Sequence, residues 1–241
     1  MGNNSGAAYL FSYDLATGGS AELEEIFPTD AGAFRYFGTS VAIKGNDFVV
    51  GATGELGNTG AAYLFSFESG VGLTELGKIK ASDGSLGDWF GIDVAMTEDH
   101  IAIGAAFDSN ESGEDAGAAY LYSYAGANIS NERKVLANDG ASNNEFGTRV
   151  SLVNDRLLVG APFNVLEASP KGSAYVYDIS SNPPELISKL TSSDGHMNDQ
   201  FGLDVALSNS GVFVGATEND EKGENAGAVY YFENCEPPLN Q

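Results

Sequence analysis

The sequence predicts an all-β fold, a β-propeller of four-stranded antiparallel blades, and three observations support that prediction. The chain of 241 residues has 31 Gly, 14 Phe and 11 Tyr but only 7 Pro, a composition typical of short strands joined by tight turns. Its motifs recur at intervals of 53, 56 and 55 residues. Each interval contains four segments with strand patterns, which is the content of one propeller blade.

The repeat is anchored on a Phe-Gly pair, whose phenylalanines are Phe37, Phe90, Phe146 and Phe201. An aspartate lies seven residues before each Phe, where it suits an Asx turn. A Gly-Ala pair begins fourteen residues after each Phe. A block of small residues followed by an aromatic strand occurs five times, first as GAAYLFSY from Gly6. Because every unit repeats these residues, we interpret them as architecture and expect function where the units differ.

Four strands are predicted in each unit. Strand one alternates after the Phe-Gly pair, as in TSVAIK, so that Val41 and Ile43 share a face. Strand two is a short apolar run such as DFVVGA, which follows a tight turn. Strand three is the aromatic block, and strand four is more polar, as in TELGKIKA. This rise in polarity fits a blade whose inner strands line an axis and whose outer strand faces solvent.

The units form one predicted domain over residues 1–241, with part of a blade at residues 6–28 before the first Phe-Gly unit. The predicted strands number seventeen, one more than four blades require. If the segment ELEEIF completes the last unit as its outer strand, four blades close by a clasp of both chain ends and the strand from Gly6 is surplus. The alternatives are five blades, or an excerpt of a larger propeller.

The order FG, then VGAT or VGAP, then GAAY resembles the FG-GAP repeats in the β-propeller of integrin α subunits. The resemblance runs from Gly6 to about Phe232. It implies an extracellular location, secreted or at the cell surface, and a role in adhesion, ligand binding or assembly. In that family a calcium loop often lies between strands one and two. This sequence departs from the family there, because it has only a tight hairpin at that connection, so the family's calcium site is not carried over.

Charge and composition restrict the partners. The chain has 34 acidic and 11 basic residues, a net charge of −23, which repels phosphate backbones, so no nucleic-acid partner is expected. No apolar run approaches the roughly 18 residues that a membrane span needs, so no membrane insertion is expected. Cys235 is the only cysteine, which excludes an intrachain disulfide.

The connection between strands two and three differs most among the units, and in the second it reads FDSNESGEDAG. Oxygen-bearing side chains at alternate positions before a glycine suit a calcium ion, because the loop must fold around it. Calcium is therefore the candidate cofactor, and an acidic surface loop is the alternative. The candidate metal ligands are Asp108, Asn110, Ser112, Glu114 and Asp115.

The residue before each Phe-Gly pair also varies, and in the first two units it is Tyr36 and Trp89. Arg35 stands where the other units have Asp or Asn. Exposed aromatic side chains on one edge of a propeller suit stacking against a sugar or peptide. Trp89, Tyr36 and Arg35 are therefore the candidate ligand-binding residues, and packing against the adjacent loop is the alternative.

The leading functional hypothesis is an extracellular or cell-surface binding and adhesion module that presents propeller loops to a glycan or protein ligand, with calcium as a candidate stabiliser. One alternative is a structural subunit that assembles with other copies through its terminal strands. A second is a polysaccharide lyase, for which His196, Tyr36 and Arg35 would form the cluster. Since the sequence contains no nucleophile elbow, phosphate loop or zinc-binding helix motif, no catalytic residue is assigned and an enzyme is not expected.

Overall fold

A computed structural model describes residues 3–166 and 169–233 and shows an all-β propeller of four blades with almost no helix. Within these residues each blade is an antiparallel sheet, with four strands in the first three blades and three described strands in the fourth. A two-stranded N-terminal hairpin precedes the first blade. The predicted fold class is confirmed.

The strands follow one another along the chain within each blade. The N-terminal hairpin is formed by β1 (Ala8–Tyr13) and β2 (Ser20–Ile26). The first blade contains β3 (Phe37–Lys44), β4 (Asp47–Ala52), β5 (Ala61–Glu68) and β6 (Gly72–Ile79). The second contains β7 (Val94–Met96), β8 (His100–Ala105), β9 (Ala118–Ala125) and β10 (Asn128–Val135).

The third blade begins with β11 (Arg149–Val153) and β12 (Arg156–Ala161). The short pair β13 (Val165–Leu166) and β14 (Ser169–Pro170) comes next, and the blade is completed by β15 (Ser173–Asp178) and β16 (Glu185–Leu190). The fourth blade contains β17 (Phe201–Leu207), β18 (Gly211–Ala216) and β19 (Ala228–Glu233). The short helix α1 (Glu55–Asn58) lies between β4 and β5. In the part of the chain just described, no helix has the length and apolar character needed to cross a bilayer.

The Phe-Gly pairs form the joints between blades. Phe146 is fully buried and meets the rings of Tyr175 and Tyr177 edge-on at 5.4 and 6.2 Å between ring centroids. Its cluster also contains residues of the second blade, such as Leu121. A side-chain carbon on Gly104 would lie 2.0 Å from the carbonyl oxygen of Gly147, so only glycine permits this contact between blades. The architectural interpretation of the repeated residues agrees with this packing.

The chain ends do not form the clasp that the strand count suggested. β2 pairs with β1, and among the described residues β19 pairs only with β18. The inner strands β3, β7, β11 and β17 contact one another in that order, and no comparable contact joins β17 to β3. The strand from Gly6, which the four-blade count left over, is β1, and it pairs with β2 in the N-terminal hairpin beside the first blade.

The faces at the two ends of this row of blades are exposed. Val41 and Ile43 in β3 are 64% and 65% exposed, whereas Val150 and Leu152 at the equivalent positions of β11 are buried. Among the described residues, the N-terminal hairpin has two strands, and neither covers this face of β3. Apolar side chains of the fourth blade are also exposed on the face away from the third: Phe213, Val229 and Tyr231.

Asp93 links two inner strands. Its Oδ2 accepts a hydrogen bond of 2.8 Å from the backbone N–H of Val150 in the next blade. Burial raises the pKa of Asp93 from 3.8 to about 6, despite the opposing effects of this hydrogen bond and of Arg149. The folded state therefore favours neutral Asp93, and the stability that this group contributes is complete below pH 3.8 and is lost as the pH rises through about 6.

The substitution Asp93→Asn should reduce this dependence of the free energy of unfolding on pH. Between pH 5 and 7.5 the free energy of unfolding of the unaltered protein should fall by about 1 kcal/mol more than that of the variant. Urea denaturation at both pH values measures the difference. Asp155→Asn, an exposed aspartate in the turn between β11 and β12, controls for the loss of one carboxylate. Equal pH responses of the unaltered protein and Asp93→Asn would contradict the prediction.

Candidate functional site

The loop before each Phe-Gly pair has the same backbone form in all four blades. The residue before the Phe adopts the left-handed backbone conformation in every blade. Its φ is 51° at Tyr36, 57° at Trp89, 53° at Glu145 and 57° at Gln200. Non-glycine residues seldom adopt this conformation, so the surrounding structure must impose it. A backbone hydrogen bond of 2.9 Å from Trp89 to Asn58 of the preceding blade does so in the second blade. Architecture fixes the backbone here, and only the side chains differ among blades.

Tyr36 and Trp89 line one cleft at the junction of the first and second blades. The cleft has a volume of about 290 Å³, and its other lining residues are Thr39, Thr53 and Asn58. Tyr36 is 44% exposed and Trp89 is 40% exposed. The Thr39 hydroxyl donates a 2.6 Å hydrogen bond to the Tyr36 carbonyl and lies 3.2 Å from the Thr53 hydroxyl. The structure thus brings two of the three predicted ligand-binding residues together, beside two hydroxyl groups.

Both aromatic side chains are held in place by their neighbours. Trp89 meets Phe107 edge-on, with 4.9 Å between ring centroids. A side-chain carbon on Gly54 would lie 2.4 Å from Cδ2 of Tyr36, so the glycine makes room for this ring. The aromatic surface of the cleft is therefore ordered by the protein itself.

Arg35, the third predicted ligand-binding residue, does not line this cleft. Its guanidinium forms an ion pair with the buried Glu55 and lies 3.8 Å from Asp30. The other blades have Asp or Asn at the position of Arg35, and none of them has Glu at the position of Glu55. Arg35 therefore compensates the buried carboxylate of Glu55, at a position where the second blade has Asp108 and the third has Asn164.

A second cluster, which the sequence analysis missed, recurs from blade to blade. In the second blade Asp83 accepts hydrogen bonds from the Tyr120 hydroxyl at 2.8 Å and from Lys134 at 2.7 Å. Lys134 also donates to Asp108 at 2.9 Å. We call this set the Asp–Tyr–Lys cluster. Its members in the first blade are Asp30, Tyr63, Lys78 and Glu55, and in the third Asp139, Tyr175, Lys189 and Asn164.

One signal in the sequence could have revealed this cluster. The lysine on strand four always lies five residues before the aspartate of the next unit, as Lys134 does before Asp139. In the fourth blade Asp194, Asn219 and Tyr230 occupy the equivalent positions, and no strand-four lysine accompanies them in the described residues.

The protonation states in the cluster follow from burial and from its hydrogen bonds. Burial by itself would raise the pKa of Asp83, but hydrogen bonds from Lys134 and Tyr120 outweigh burial and lower it. Burial, followed by the charge of Asp108, raises the pKa of Tyr120 far above its ordinary range. Tyr120 therefore remains a hydroxyl donor, and the Lys134 ammonium lies 5.3 Å from the centre of its ring. These interactions indicate a structural role for the cluster.

The predicted calcium ligands lie on the loop after β8. Asp108 is 2% exposed and accepts a hydrogen bond from Lys134 at 2.9 Å. It shares the single Tyr120 hydroxyl proton with Asp83, with 2.8 Å between the Tyr120 oxygen and each carboxylate. Asn110 donates to Asp108 at 2.9 Å, and the Ser112 N–H donates to the Asn110 side-chain oxygen at 2.9 Å. A calcium ion would have to displace Lys134 from Asp108.

The two remaining candidate ligands hold the neighbouring loop through their backbone. The carbonyl of Glu114 accepts from Asn143, and the carbonyl of Asp115 accepts from Glu145. Over residues 3–166 and 169–233, no three or more His, Cys, Asp or Glu side chains are grouped so as to hold a metal ion. The structure therefore brings Asp108, Asn110 and Ser112 together as a hydrogen-bonded loop, and calcium there stays a prediction.

The residues considered for a lyase are distributed over different blades. Arg35 and Tyr36 precede β3 of the first blade, whereas His196 lies in the loop before β17 of the fourth. The backbone N–H of His196 donates to Asp199 at 2.9 Å.

Comparison with known proteins agrees with this architecture. A family model described as the FG-GAP repeat matches residues 21–65, 73–122, 129–177 and 185–232. Among solved structures, a chain from a structural study of two prolyl endopeptidases is similar, with a TM-score of 0.51 and 14% identity. The similarity covers 92% of this chain and 28% of that chain, and at this identity it supports the fold alone. Comparison with curated protein sequences finds no match.

The Asp–Tyr–Lys cluster predicts unequal effects of two substitutions in the second blade. Lys134→Met should destabilise the protein by about 3 kcal/mol, because it leaves the buried Asp108 without its cation. Asp108→Asn should cost less than about 1 kcal/mol, because the third blade has Asn164 beside Lys189 at the same place. Chemical denaturation at pH 7 compares the two variants.

The double variant provides the control for this comparison. When Asp108→Asn is combined with Lys134→Met, the buried charge disappears and part of the stability should return. An equal loss of stability in the two single variants would contradict the prediction that the buried Asp108 charge requires the Lys134 cation.

Proposed function

Because the chain belongs to the FG-GAP repeat family, we propose that it is a binding module that presents the Tyr36–Trp89 cleft to a glycan or protein ligand outside the cell or at its surface. One observation carries this proposal: Tyr36 and Trp89 occupy equivalent positions in adjacent blades and line one cleft. A propeller serves many functions, so the site rather than the fold supports the conclusion.

The chemistry of the cleft favours a sugar ring. Tyr36 and Trp89 offer aromatic faces for the C–H side of a pyranose, and Thr39, Thr53 and Asn58 carry hydrogen-bonding groups along the same wall. Since both rings are held before a ligand arrives, little conformational entropy is lost on binding. The net charge of −23 repels polyanions, so neutral or cationic glycans are the expected class.

The extracellular location and the adhesive role rest on the resemblance of the repeats to those of integrin α subunits. Calcium at the loop after β8 is a separate expectation. The cleft includes none of the candidate calcium ligands, so binding of a glycan there does not require the ion.

Self-assembly is a second candidate function, and the exposed faces at both ends of the row of blades favour it. Val41 and Ile43 are exposed at one end, and Phe213, Val229 and Tyr231 at the other. Apolar side chains grouped on a sheet face, next to unpaired strand edges, are typical of surfaces that contact another chain.

Trp89→Ala should abolish binding of a glycan to the cleft, and Tyr36→Ala should weaken it about tenfold or more, because each removes one stacking surface. Calorimetric titration with neutral oligosaccharides measures both effects. Trp89 is the only tryptophan in the sequence, so quenching or a shift of its emission locates a ligand at the cleft of the unaltered protein.

Tyr13→Ala is the matched control, because Tyr13 is an exposed aromatic residue on β1 and lies outside the cleft. It should bind as the unaltered protein does. Undiminished binding by Trp89→Ala would rule out the cleft as the ligand site.

Assembly predicts that the apparent mass in size-exclusion chromatography rises with protein concentration. Val229→Glu should reduce that rise, since it places a charge on the exposed face of the fourth blade. Val71→Glu is the control: Val71 is 73% exposed, against 71% for Val229, but it lies in the loop between β5 and β6. A monomer at every concentration would exclude assembly.

A further inference from the structure

A second cleft adjoins the Tyr36–Trp89 cleft, and the two share one side chain. The second cleft has a volume of about 220 Å³ and is lined by Gly87, Trp89, Phe107 and Asp115. Because Trp89 also lines the Tyr36–Trp89 cleft, its indole is a wall common to both, and one extended ligand can occupy the two clefts together. We call this second space the Trp89–Asp115 cleft.

We propose that the Trp89–Asp115 cleft binds the ammonium group of an amino sugar. The ligand of this module would then be a glycan that carries a free amine on the unit next to the one held between Tyr36 and Trp89. This rests on the proposed function, because the second cleft would hold another unit of the same glycan.

The two clefts occupy equivalent positions at successive joints between blades. The carbonyl of Asn58 accepts the backbone N–H of Trp89 at 2.9 Å, and the carbonyl of Asp115 accepts that of Glu145 at 3.2 Å. Asn58 and Asp115 both have a left-handed backbone, with φ of 68° and 50°, and each lines the cleft at its own joint. The repeat therefore places a neutral amide in the first cleft and a carboxylate at the equivalent position of the second.

The Asp115 carboxylate has no cation of the protein as its partner. Within residues 3–166 and 169–233, no Lys, Arg or His forms an ion pair with Asp115 or with Glu145. Burial, followed by the negative charge of Asp115, raises the pKa of Glu145, so the two carboxylates lie close enough to repel each other. In the Asp–Tyr–Lys cluster of the same blade, by contrast, Lys134 forms ion pairs with two carboxylates. A ligand ammonium would supply the counter-charge at Asp115.

An aromatic ring next to a carboxylate suits an ammonium group that is attached to a sugar ring. The face of an indole attracts a cation, and a carboxylate accepts a charge-assisted hydrogen bond from it. In an amino sugar the ammonium is bonded directly to the pyranose ring, so the ring can lie against Trp89 while the ammonium meets Asp115. A lysine side chain offers the ammonium without the ring, and an N-acetylated sugar offers the ring without the charge. The combination of side chains therefore favours a free amino sugar.

Asp115 is also one of the candidate calcium ligands, but it lies apart from the loop that the others form. Its backbone N–H donates to the Ser109 hydroxyl at 3.1 Å, whereas Asn110 is hydrogen-bonded to Asp108 and to Ser112. Of the five candidate ligands, only Asp115 lines the Trp89–Asp115 cleft. The amine site and the predicted calcium loop can therefore be tested separately, by adding a chelator to every titration.

Three tetrasaccharides test the selection of an amine. They are the β-linked tetramers of glucosamine, N-acetylglucosamine and glucose, which carry an ammonium, an acetamido and a hydroxyl group at the same ring carbon. Calorimetric titration of the whole protein at about pH 5.5, where sugar amines are protonated, measures the three affinities. The glucosamine tetramer should bind about tenfold more tightly than either of the others.

Asp115→Asn should abolish this tenfold preference and leave the affinity for the glucose tetramer unchanged. Asparagine tolerates a left-handed backbone, and Asn58 already occupies the equivalent position, so the variant retains the loop. Glu111→Gln is the matched control, because it removes one exposed carboxylate from the same loop but outside both clefts. It should keep the full preference for the glucosamine tetramer.

Tyr36→Ala separates the second cleft from the first. Tyr36 lines only the Tyr36–Trp89 cleft, so its loss should weaken the glucose and glucosamine tetramers alike, by about tenfold or more. The ratio between the two affinities should stay at about ten, because the amine is held by Asp115.

Three results would overturn the proposal. Equal affinity for the three tetramers would show that the second cleft selects no amine, while binding that depends on Tyr36 would still support the first cleft. A preference that persists in Asp115→Asn would show only attraction to an acidic protein. Tetralysine that binds as tightly as the glucosamine tetramer, with the same dependence on Asp115, would show that the site requires no sugar ring.

Failure of the proposed function would look different. If Tyr36→Ala bound every tetramer as the unaltered protein does, while the preference for glucosamine still depended on Asp115, the Tyr36–Trp89 cleft would be excluded and the amine site retained. Absence of binding by all three tetramers would reject both.

Discussion

The close backbone contact between blades is the constraint on which the rest of the structure depends. At each joint the Phe of the Phe-Gly pair places its carbonyl oxygen over the glycine that opens strand three of the preceding unit. A side-chain carbon on Gly60 would lie 2.0 Å from the Phe90 oxygen, and one on Gly117 would lie 2.1 Å from the Phe146 oxygen. The spacing between blades is thus set by the absence of a side chain, which explains why these glycines recur in every unit.

The joint also builds the candidate binding cleft. The left-handed residue before each Phe is held by a hydrogen bond to the preceding unit, as Trp89 is held by Asn58. Tyr36 and Trp89 are therefore carried to equivalent positions one blade apart, where their side chains face a shared space. The repeat supplies a rigid frame, and two variable positions on it supply the recognition chemistry.

Much of this organisation could be predicted from the sequence, because the intervals between Phe-Gly, Gly-Ala and the aromatic block hardly vary. Tyr36 and Trp89 were found because they differ between units at a position that is otherwise regular. The role of Arg35 was missed, because its partner Glu55 is distant from it in sequence and begins the short helix α1. Lys78, Lys134 and Lys189 were missed because a lysine on a polar strand has the same pattern as a solvent-exposed one, although its fixed distance from the next aspartate was a usable signal.

The fourth blade shows which repeated contacts form where the described residues include no following blade. In the first three blades a side-chain carbon on the glycine of the Gly-Ala pair would lie about 2 Å from a carbonyl of the next unit, as at Gly51, whereas at Gly215 the nearest atom would be 3.6 Å away. Glycine in a strand lowers stability unless a close contact requires it. Among the described residues no lysine lies beside Asp194, although its carboxylate still accepts the hydrogen bond of Tyr230. The hydrogen bond between the strand-three tyrosine and the aspartate therefore forms in all four blades, with or without a described lysine beside it.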